Sequence, residues 1–182
     1  MKKYQIIYAD PPWKYSDELV PGGAGNEYKT LSLKDILALR VPDLVDENAH
    51  LYLWVTNPFL QEGLEVVKAW GFKYMQMITW VKMSKAGTPA MGLGYYFRGC
   101  TEQVLFGVRG KLPKLTSSLK NVLFSTRGKH SEKPREFRDI IVQHSGDLPR
   151  VELFARTKVA GWDSWGNEIE GSSEIEKILN PQ

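Results

Sequence analysis

The sequence predicts an α/β fold, in which an open and mostly parallel sheet is covered by helices on both faces. Apolar runs of strand length recur along the chain, and segments with helical spacing lie between them. The strands are predicted at residues 4–9, 50–55, 75–81, 103–108 and 151–155, with a short apolar run at 122–124. Because ligands of such sheets bind beyond the carboxyl ends of the strands, residues that directly follow strands are the first candidates for a site.

Helices are predicted at residues 32–39, 58–70 and 134–145, where a capping residue or a proline precedes the helical spacing. In the second helix, Leu60, Leu64 and Val67 fall at the spacing of a core-facing side. Gly71 and Gly146 follow the second and third helices and supply their C-terminal stops. Helices therefore alternate with the predicted strands.

Length and composition favour a single globular domain, placed at residues 1–171, with 172–182 as an acidic tail or short helix. Hydrophobic residues make up 42% and charged residues 25%, which is typical of folded proteins. We find no apolar run of the roughly 20 residues that would span a bilayer, and no signal peptide, so an intracellular location is expected. Cys100 is the only cysteine, so neither an internal disulfide nor a cysteine-based metal site is predicted.

Asp10-Pro11-Pro12-Trp13 directly follows the first predicted strand. Proline lacks an N–H group and fixes φ, so the pair ends the strand ladder and holds its carbonyls rigidly. A carboxylate, a carbonyl and a flat ring suit a planar substrate with an exocyclic amine, because the two N–H groups need two acceptors and the ring needs a stacking face. The alternative is a Pro-Pro turn with a capping aspartate and a core tryptophan.

This tetrapeptide is the signature of amino-methyltransferases that use S-adenosylmethionine, and its final tryptophan resembles the adenine-N6 branch. Six further blocks occur in the order of the methyltransferase-A seventy-kilodalton-subunit (MT-A) family, and the resemblance covers about residues 3–171. The blocks are Leu53-Trp54-Val55-Thr56, Thr79-Trp80-Val81-Lys82, Gly107-Val108-Arg109-Gly110, His130-Ser131-Glu132-Lys133-Pro134, Val151-Glu152-Leu153-Phe154-Ala155-Arg156 and Trp162-Asp163-Ser164-Trp165-Gly166-Asn167-Glu168.

The resemblance implies a Rossmann-like methyltransferase fold in permuted order, with the catalytic motif ahead of the donor-binding strand. It implies S-adenosyl-L-methionine as the methyl donor and Asp10, Pro11, Pro12 and Trp13 as catalytic residues. The implied donor-binding residues are Asp10, Lys133, Phe154, Arg156, Asn167 and Glu168. Two alternatives stay open: Asn167 and Glu168 as a surface turn, and Arg156 with Glu152 as a structural ion pair.

A basic segment, residues 109–138, carries a net charge of +7, so the remainder of the chain carries −4. Such a segment favours nucleic-acid phosphates, although a solvated face is the alternative. Two glycine-containing loops, residues 16–26 and 82–98, are long enough to be functional. The predicted substrate-binding residues are Tyr28, Trp54, Lys82, Arg98, Lys111, Lys114, Lys120 and Lys129.

The expected reaction is methyl transfer to the exocyclic amine of an adenine flipped out of DNA, with no metal. DNA is preferred because no RNA-binding module accompanies the catalytic segment, and an RNA adenosine methyltransferase is the alternative. A third possibility is a non-catalytic partner subunit that binds nucleic acid. Such subunits lose the aspartate or the final aromatic residue of the signature, and both are present here. The sequence leaves open a homodimer or a heterodimer.

Overall fold

The computed structural model describes residues 2–14, 30–116, 118–126, 128, 132–166, 168–169 and 173–180. Within these residues the strands are β1 (Tyr4–Ala9), β2 (Val45–Val55), β3 (Lys73–Met83), β4 (Thr101–Arg109), β5 (Val122–Thr126), β6 (Arg150–Leu153) and β7 (Asp163–Trp165). The α-helices are α1 (Leu33–Ala38), α2 (Leu60–Ala69), α3 (Glu136–Ser145) and α4 (Ser173–Leu179).

The seven strands form one sheet in the order β5-β3-β4-β2-β1-β6-β7. Four of the six neighbouring pairs are parallel, and β4 is antiparallel to both β2 and β3. The predicted mostly parallel α/β sheet is therefore confirmed. The direction of β4 has a consequence, because the chain after β4 leaves the sheet at the edge where the parallel strands begin.

Helices cover both faces of the sheet, as predicted. Alternate strand residues face opposite sides, so Ile7 and Ala9 belong to one core and Ile6 and Tyr8 to the other. The first core also contains buried residues of α1, α2 and α4, whereas the second contains Phe137 and Ile141 of α3. We call the second side the α3 face.

Helix α1 begins as predicted, with a capping box in which Ser32 and Asp35 each bond the other's backbone N–H. The third predicted helix corresponds to α3, and Gly146 ends it with a φ of 101°. Gly71, with a φ of 81°, likewise follows α2. These local signals were sufficient because each acts within a single turn of chain.

The core-facing side of α2 differs from the prediction. Leu60 and Leu64 are exposed, whereas Gly63 and Val66 are buried together with Val67. A Cβ at Gly63 would overlap the Val55 side chain, so the missing side chain permits a close approach of helix and sheet. Spacing among large apolar residues missed this side because a glycine lies at its centre.

The end of the chain contains a strand that the sequence left undefined and a short helix, which was one of the two alternatives for residues 172–182. Strand β7 pairs in parallel with β6 and places Trp165 beside Leu153. Helix α4 buries Ile175 and Leu179 in the first core. No helix among the described residues is both long and apolar enough to cross a membrane.

Candidate active site

Asp10 lies at the carboxyl end of β1, where the neighbouring parallel strands β2 and β6 also end. Ala9 pairs with Leu53 on one side and with Leu153 on the other. The backbone N–H of Asp10 donates to the Leu153 carbonyl at 3.4 Å. The residues that follow β1 and β6 therefore meet at one edge of the sheet, as predicted, and we call this edge the rim.

The carbonyls of the two prolines already accept hydrogen bonds. The Pro11 carbonyl accepts from the Trp13 N–H at 2.9 Å, and the Pro12 carbonyl accepts from the Leu31 N–H at 2.9 Å. A carbonyl oxygen has two lone pairs, so Pro11 keeps one acceptor position beyond this turn. The turn is thus more firmly held than the sequence suggested.

Trp13 supports the turn, and another aromatic side chain covers one face of its ring. Its side chain is buried, stacks on Phe59 with ring centroids 5.4 Å apart, and donates from Nε1 to the Trp54 carbonyl at 3.2 Å. It also lines a cavity of about 260 Å³ with Leu31 and Phe59. Phe59 therefore covers one face of the ring, and stacking of the substrate on Trp13 stays a prediction.

The Asp10 carboxylate belongs to a network of four charged side chains, which we call the rim network. The Lys133 Nζ donates to both oxygens of Asp10, at 2.8 and 2.7 Å, and lies 3.4 Å from Glu102 Oε2. Lys82 completes the network with a 2.5 Å contact to Glu102 Oε1. Lys133 and Glu102 are 13% and 11% exposed, so both charges depend on these partners.

The network keeps both buried partners charged. Burial alone would lower the pKa of Lys133, but Asp10 and Glu102 outweigh it and raise that pKa above its ordinary value. Burial alone would raise the pKa of Glu102, but Lys133 and Lys82 lower it below its ordinary value. Lys133 and Glu102 are therefore both ionised across the physiological pH range.

The structure places Lys133 differently from the role implied by the resemblance. That role was to pair the donor's carboxylate, whereas here Lys133 is bound to Asp10 and Glu102. Glu102 itself was missed by the sequence reasoning. The sequence did contain a signal for it. Glu102 alternates with Val104 and Phe106 along β4, so it shares their inward-facing side of the sheet, and a charge at such a position requires a partner.

Trp54 lies beneath the rim network rather than on its surface. It is 1% exposed, donates from Nε1 to the Tyr8 hydroxyl at 2.8 Å, and carries the Lys133 Nζ 5.4 Å above its ring. The prediction that Trp54 contacts substrate is therefore wrong for this arrangement. Trp80, which was interpreted as a core residue, is buried at an edge-on contact with Trp54.

The predicted donor-binding residues follow β6 along the same rim. Phe154 has a φ of 64°, rare for a residue with a side chain, and its ring contacts that of Trp165 at 5.2 Å. Arg156 Nε lies 3.5 Å from Glu168 Oε1, and both side chains are partly exposed. Asn167 lies outside the described residues.

Glu152 does not pair with Arg156, so that alternative is wrong. It accepts two hydrogen bonds from Arg138 of α3, at 2.8 and 2.7 Å, and both side chains are largely buried. Arg156 instead lies beside Glu168 at the rim.

The predicted substrate-binding lysines do not lie together. Lys82 belongs to the rim network, and Arg98 is exposed in the β3–β4 loop on the same rim. Lys111 and Lys114 lie at the opposite edge of the sheet, where the Lys111 N–H bonds the Asn48 side chain. The prediction of a single basic surface is therefore wrong, because the antiparallel direction of β4 places the residues that follow it at the opposite edge of the sheet.

Of the three remaining substrate-binding predictions, the structure describes only Lys120. Lys120 is exposed and precedes β5, whose first residue pairs with Thr79 partway along β3. Tyr28 and Lys129 lie outside the described residues.

The MT-A70 family profile matches residues 4–168, which include β1 to β7. The chain belongs to the MT-A70 family. The predicted family and the predicted class of enzyme, an adenine-N6 methyltransferase, are thereby confirmed, on a rim that holds Asp10 at the end of β1.

Individual relatives differ in how much of their length this chain covers. The Mycoplasma sp type II methyltransferase M.MunI is 34% identical over 92% of this chain and 78% of its own length. The Cryphonectria parasitica N6-methyladenosine RNA methyltransferase MTA1 is 31% identical over 91% of this chain and 52% of its own. The human N(6)-adenosine-methyltransferase catalytic subunit METTL3 is 29% identical over 93% of this chain, which spans only 29% of METTL3.

Proposed function

We propose that this MT-A70 chain transfers a methyl group from S-adenosyl-L-methionine to N6 of an adenine in DNA. The observation that carries the proposal is the Asp10 carboxylate on the rim, held through both oxygens by Lys133 and followed by a rigid Pro-Pro turn. DNA as the substrate is supported by the likeness to M.MunI, because this chain matches most of that relative's length.

The chemistry requires that a poor nucleophile be positioned and polarised. The lone pair of the adenine amine is delocalised into the ring. Acceptors that take hydrogen bonds from its two N–H groups return electron density to the nitrogen. Asp10 and the second lone pair of the Pro11 carbonyl are the two acceptors available on this turn. Because both are fixed by hydrogen bonds within the protein, they need no rearrangement when the amine arrives.

Lys133 sets how Asp10 can act. Both oxygens of Asp10 already accept from the Lys133 ammonium, so Asp10 uses its remaining lone pairs to orient the amine rather than to remove its proton at the start. As N6 bonds to the methyl carbon, the bond from that carbon to the donor sulfur would break and leave a neutral thioether, and N6 would become cationic and acidic. Its proton can then pass to Asp10 or to water, which restores the neutral methylated amine.

The residues after β6 fit the donor in chemical type. Phe154 supplies an apolar surface, and Glu168 supplies a carboxylate that can accept from a ribose diol. Arg156 supplies a cation for the carboxylate of the donor. Lys133 was expected in that role, but it is bound to Asp10. When bound, the donor supplies an electrophilic methyl group on its sulfonium.

Access to Asp10 implies that the adenine leaves its base stack. Asp10 is 26% exposed and lies between the ends of β2 and β6, so an adenine inside a duplex could not reach it. Base flipping is the route by which enzymes bring such a base to a recessed site. The enzyme would act inside the cell, where DNA and S-adenosylmethionine occur together.

Methyl transfer from labelled S-adenosylmethionine to matched duplex DNA, single-stranded DNA and RNA oligonucleotides of several sequences tests the proposal. We expect label in N6-methyladenine of DNA, and no label with the Asp10→Asn variant as the control. Label only in RNA would overturn the choice of DNA and favour the activity that the names of MTA1 and METTL3 state. Label in neither, with donor bound, would support a non-catalytic subunit.

A further inference from the structure

The β3–β4 loop, residues 84–100, exposes an unusual set of large apolar side chains. Tyr95, Tyr96 and Phe97 are 94%, 88% and 90% exposed, and Met91 and Leu93 are also largely exposed. Large apolar side chains on a monomer that lie next to one another in this way usually mark a binding surface. We call residues 91–98 the aromatic tip.

Backbone contacts give the aromatic tip a fixed shape. The Gly99 N–H donates to the Leu93 carbonyl at 3.0 Å and closes the turn. A Cβ at Gly92 would overlap the Gly99 carbonyl, and a Cβ at Gly94 would overlap the Phe97 carbonyl. The two backbone segments of the loop thus contact each other directly. The aromatic side chains cannot be buried between them and remain exposed.

The base of the loop is attached to the rim network. The Lys82 N–H donates to the Cys100 carbonyl at 2.8 Å, and the Ala90 N–H donates to the Lys82 carbonyl at 2.7 Å. The Lys82 side chain contacts Glu102, which contacts Lys133 on Asp10. The aromatic tip therefore rises from the same edge of the sheet as the catalytic carboxylate.

The chemistry of the tip fits unpaired nucleotides. Residues 84–101 contain Lys85 and Arg98 but no Asp or Glu, so the local charge complements phosphate. The Tyr95 and Tyr96 rings stand edge to face, 5.0 Å apart, which leaves ring faces exposed on two sides. Exposed aromatic rings beside cations are how proteins hold single-stranded nucleic acid, because every base has a face on which to stack.

We propose that the aromatic tip is a stacking platform for the unpaired bases next to the acceptor adenine. Tyr95, Tyr96 and Phe97 stack on bases, and Arg98 contacts the adjoining phosphate. In a duplex, the same rings occupy the space that a flipped adenine leaves. This inference rests on the proposed function for its acceptor base, but nucleotide stacking can be measured without catalysis.

The experiment measures binding of a short single-stranded oligodeoxyadenylate that carries one 2-aminopurine. Wild type should bind the probe and quench the 2-aminopurine by stacking. The variant Tyr95→Ala/Tyr96→Ala/Phe97→Ala should lose about tenfold or more in affinity, with an unchanged slope of log affinity against log salt. Replacing the same residues by Trp should restore binding and quenching, whereas replacement by Leu should not.

Three outcomes would overturn the platform. One is equal affinity and quenching in the alanine variant, and another is restoration by Leu, which lacks a ring face. The third is a wild-type dimer that the alanine variant converts to monomer in sedimentation, because the tip would then join two copies of the chain. Donor binding by calorimetry should be the same in every variant. An inactive wild type that still quenches the probe would reject the proposed reaction while leaving the platform supported.

Discussion

Two polar clusters lie on the α3 face, at opposite ends of the same sheet. The rim network holds Asp10 at the carboxyl ends of the parallel strands. The second cluster lies toward their amino ends and consists of His50, Tyr52, His144 and Ser145, linked by hydrogen bonds of 2.7 Å; we call it the neutral cluster. A layer of aromatic side chains, which includes Tyr8, Trp54 and Phe137, separates the two.

The neutral cluster is satisfied without any charge. His50 Nε2 lies 3.0 Å from the Leu112 carbonyl, which can only accept, so Nε2 carries the proton and Nδ1 accepts from Ser145. Burial lowers the pKa of His50 to about 4. Its protonated form is therefore absent at neutral pH.

The comparison concerns the two ends of α3. Lys133, just before α3, joins the charged rim network, whereas His144 and Ser145, at the C-terminal end of α3, join the neutral cluster. Burying ions is costly, and a neutral hydrogen-bonded cluster would hold the sheet and helix together without that cost. We infer that the rim charges are retained for catalysis, whereas the neutral cluster is structural.

The largest expected effect is loss of methyl transfer on changing Asp10. Asp10→Ala should abolish transfer, and Asp10→Asn should also be severely impaired, because an amide accepts through one oxygen only. Donor affinity should fall only modestly, since the carboxylate acts chiefly on the amine in the transition state. Single-turnover transfer and donor calorimetry measure the two effects. Retention of more than about a tenth of the rate in Asp10→Asn would contradict the acceptor role.

A large loss of stability is expected from breaking the buried ion pair that α3 makes outside the rim network. Arg138→Met leaves Glu152 buried without its bidentate partner and should cost about 3–5 kcal/mol in denaturant unfolding. Arg135→Met is the matched control, because that exposed side chain pairs with Glu132 at the surface and should cost less than about 1 kcal/mol. Equal losses would mean that burial does not decide the value of the pair.

The neutral cluster should make the free energy of unfolding depend on pH in the acidic range. The folded pKa of His50, about 4, lies below its ordinary 6.5, so the unfolded chain binds more protons between these values. Stability should therefore fall by roughly 3 kcal/mol as pH drops from 7 to 4. In His50→Gln this component should disappear. Glu102, whose pKa is lowered, should lose its contribution only below about its ordinary 4.5.

The smallest expected effect is on the salt dependence of nucleic-acid binding, which should respond to charge reversal at one edge of the sheet and not at the other. Lys85→Glu with Arg98→Glu, in the β3–β4 loop, should flatten the slope of log nucleic-acid affinity against log salt by about 0.7–0.9 for each lost contact. Lys111→Glu with Lys114→Glu, at the far edge, should leave it unchanged. The reverse result in fluorescence titrations would place the nucleic acid on the edge opposite Asp10.

The features that could be predicted from sequence are those set by neighbouring residues. The strand ending at Asp10, the Ser32 capping box and the glycine stops at Gly71 and Gly146 each depend on a few adjacent positions. The family resemblance added the permuted order of motif and donor-binding strand.

What the sequence could not show depends on long-range pairing. The apolar run at 103–108 fits either strand direction, and its antiparallel pairing moved Lys111 and Lys114 away from the rim. Lys133 and Asp10 are far apart in sequence, so no local pattern could indicate that they form an ion pair. The burial of Trp13 and Trp54 likewise follows from tertiary packing that brings Phe59 and Tyr8 against them.

The most direct test of the account compares Lys133→Met with Arg138→Met. Both changes break a buried ion pair at or beside α3, but only Lys133 contacts Asp10. At saturating donor, kcat should fall by about a hundredfold or more in Lys133→Met and by less than about threefold in Arg138→Met, with little change in donor Kd in either variant. If Lys133→Met instead weakens donor binding by about tenfold or more and leaves kcat intact, the lysine binds the donor and does not serve Asp10.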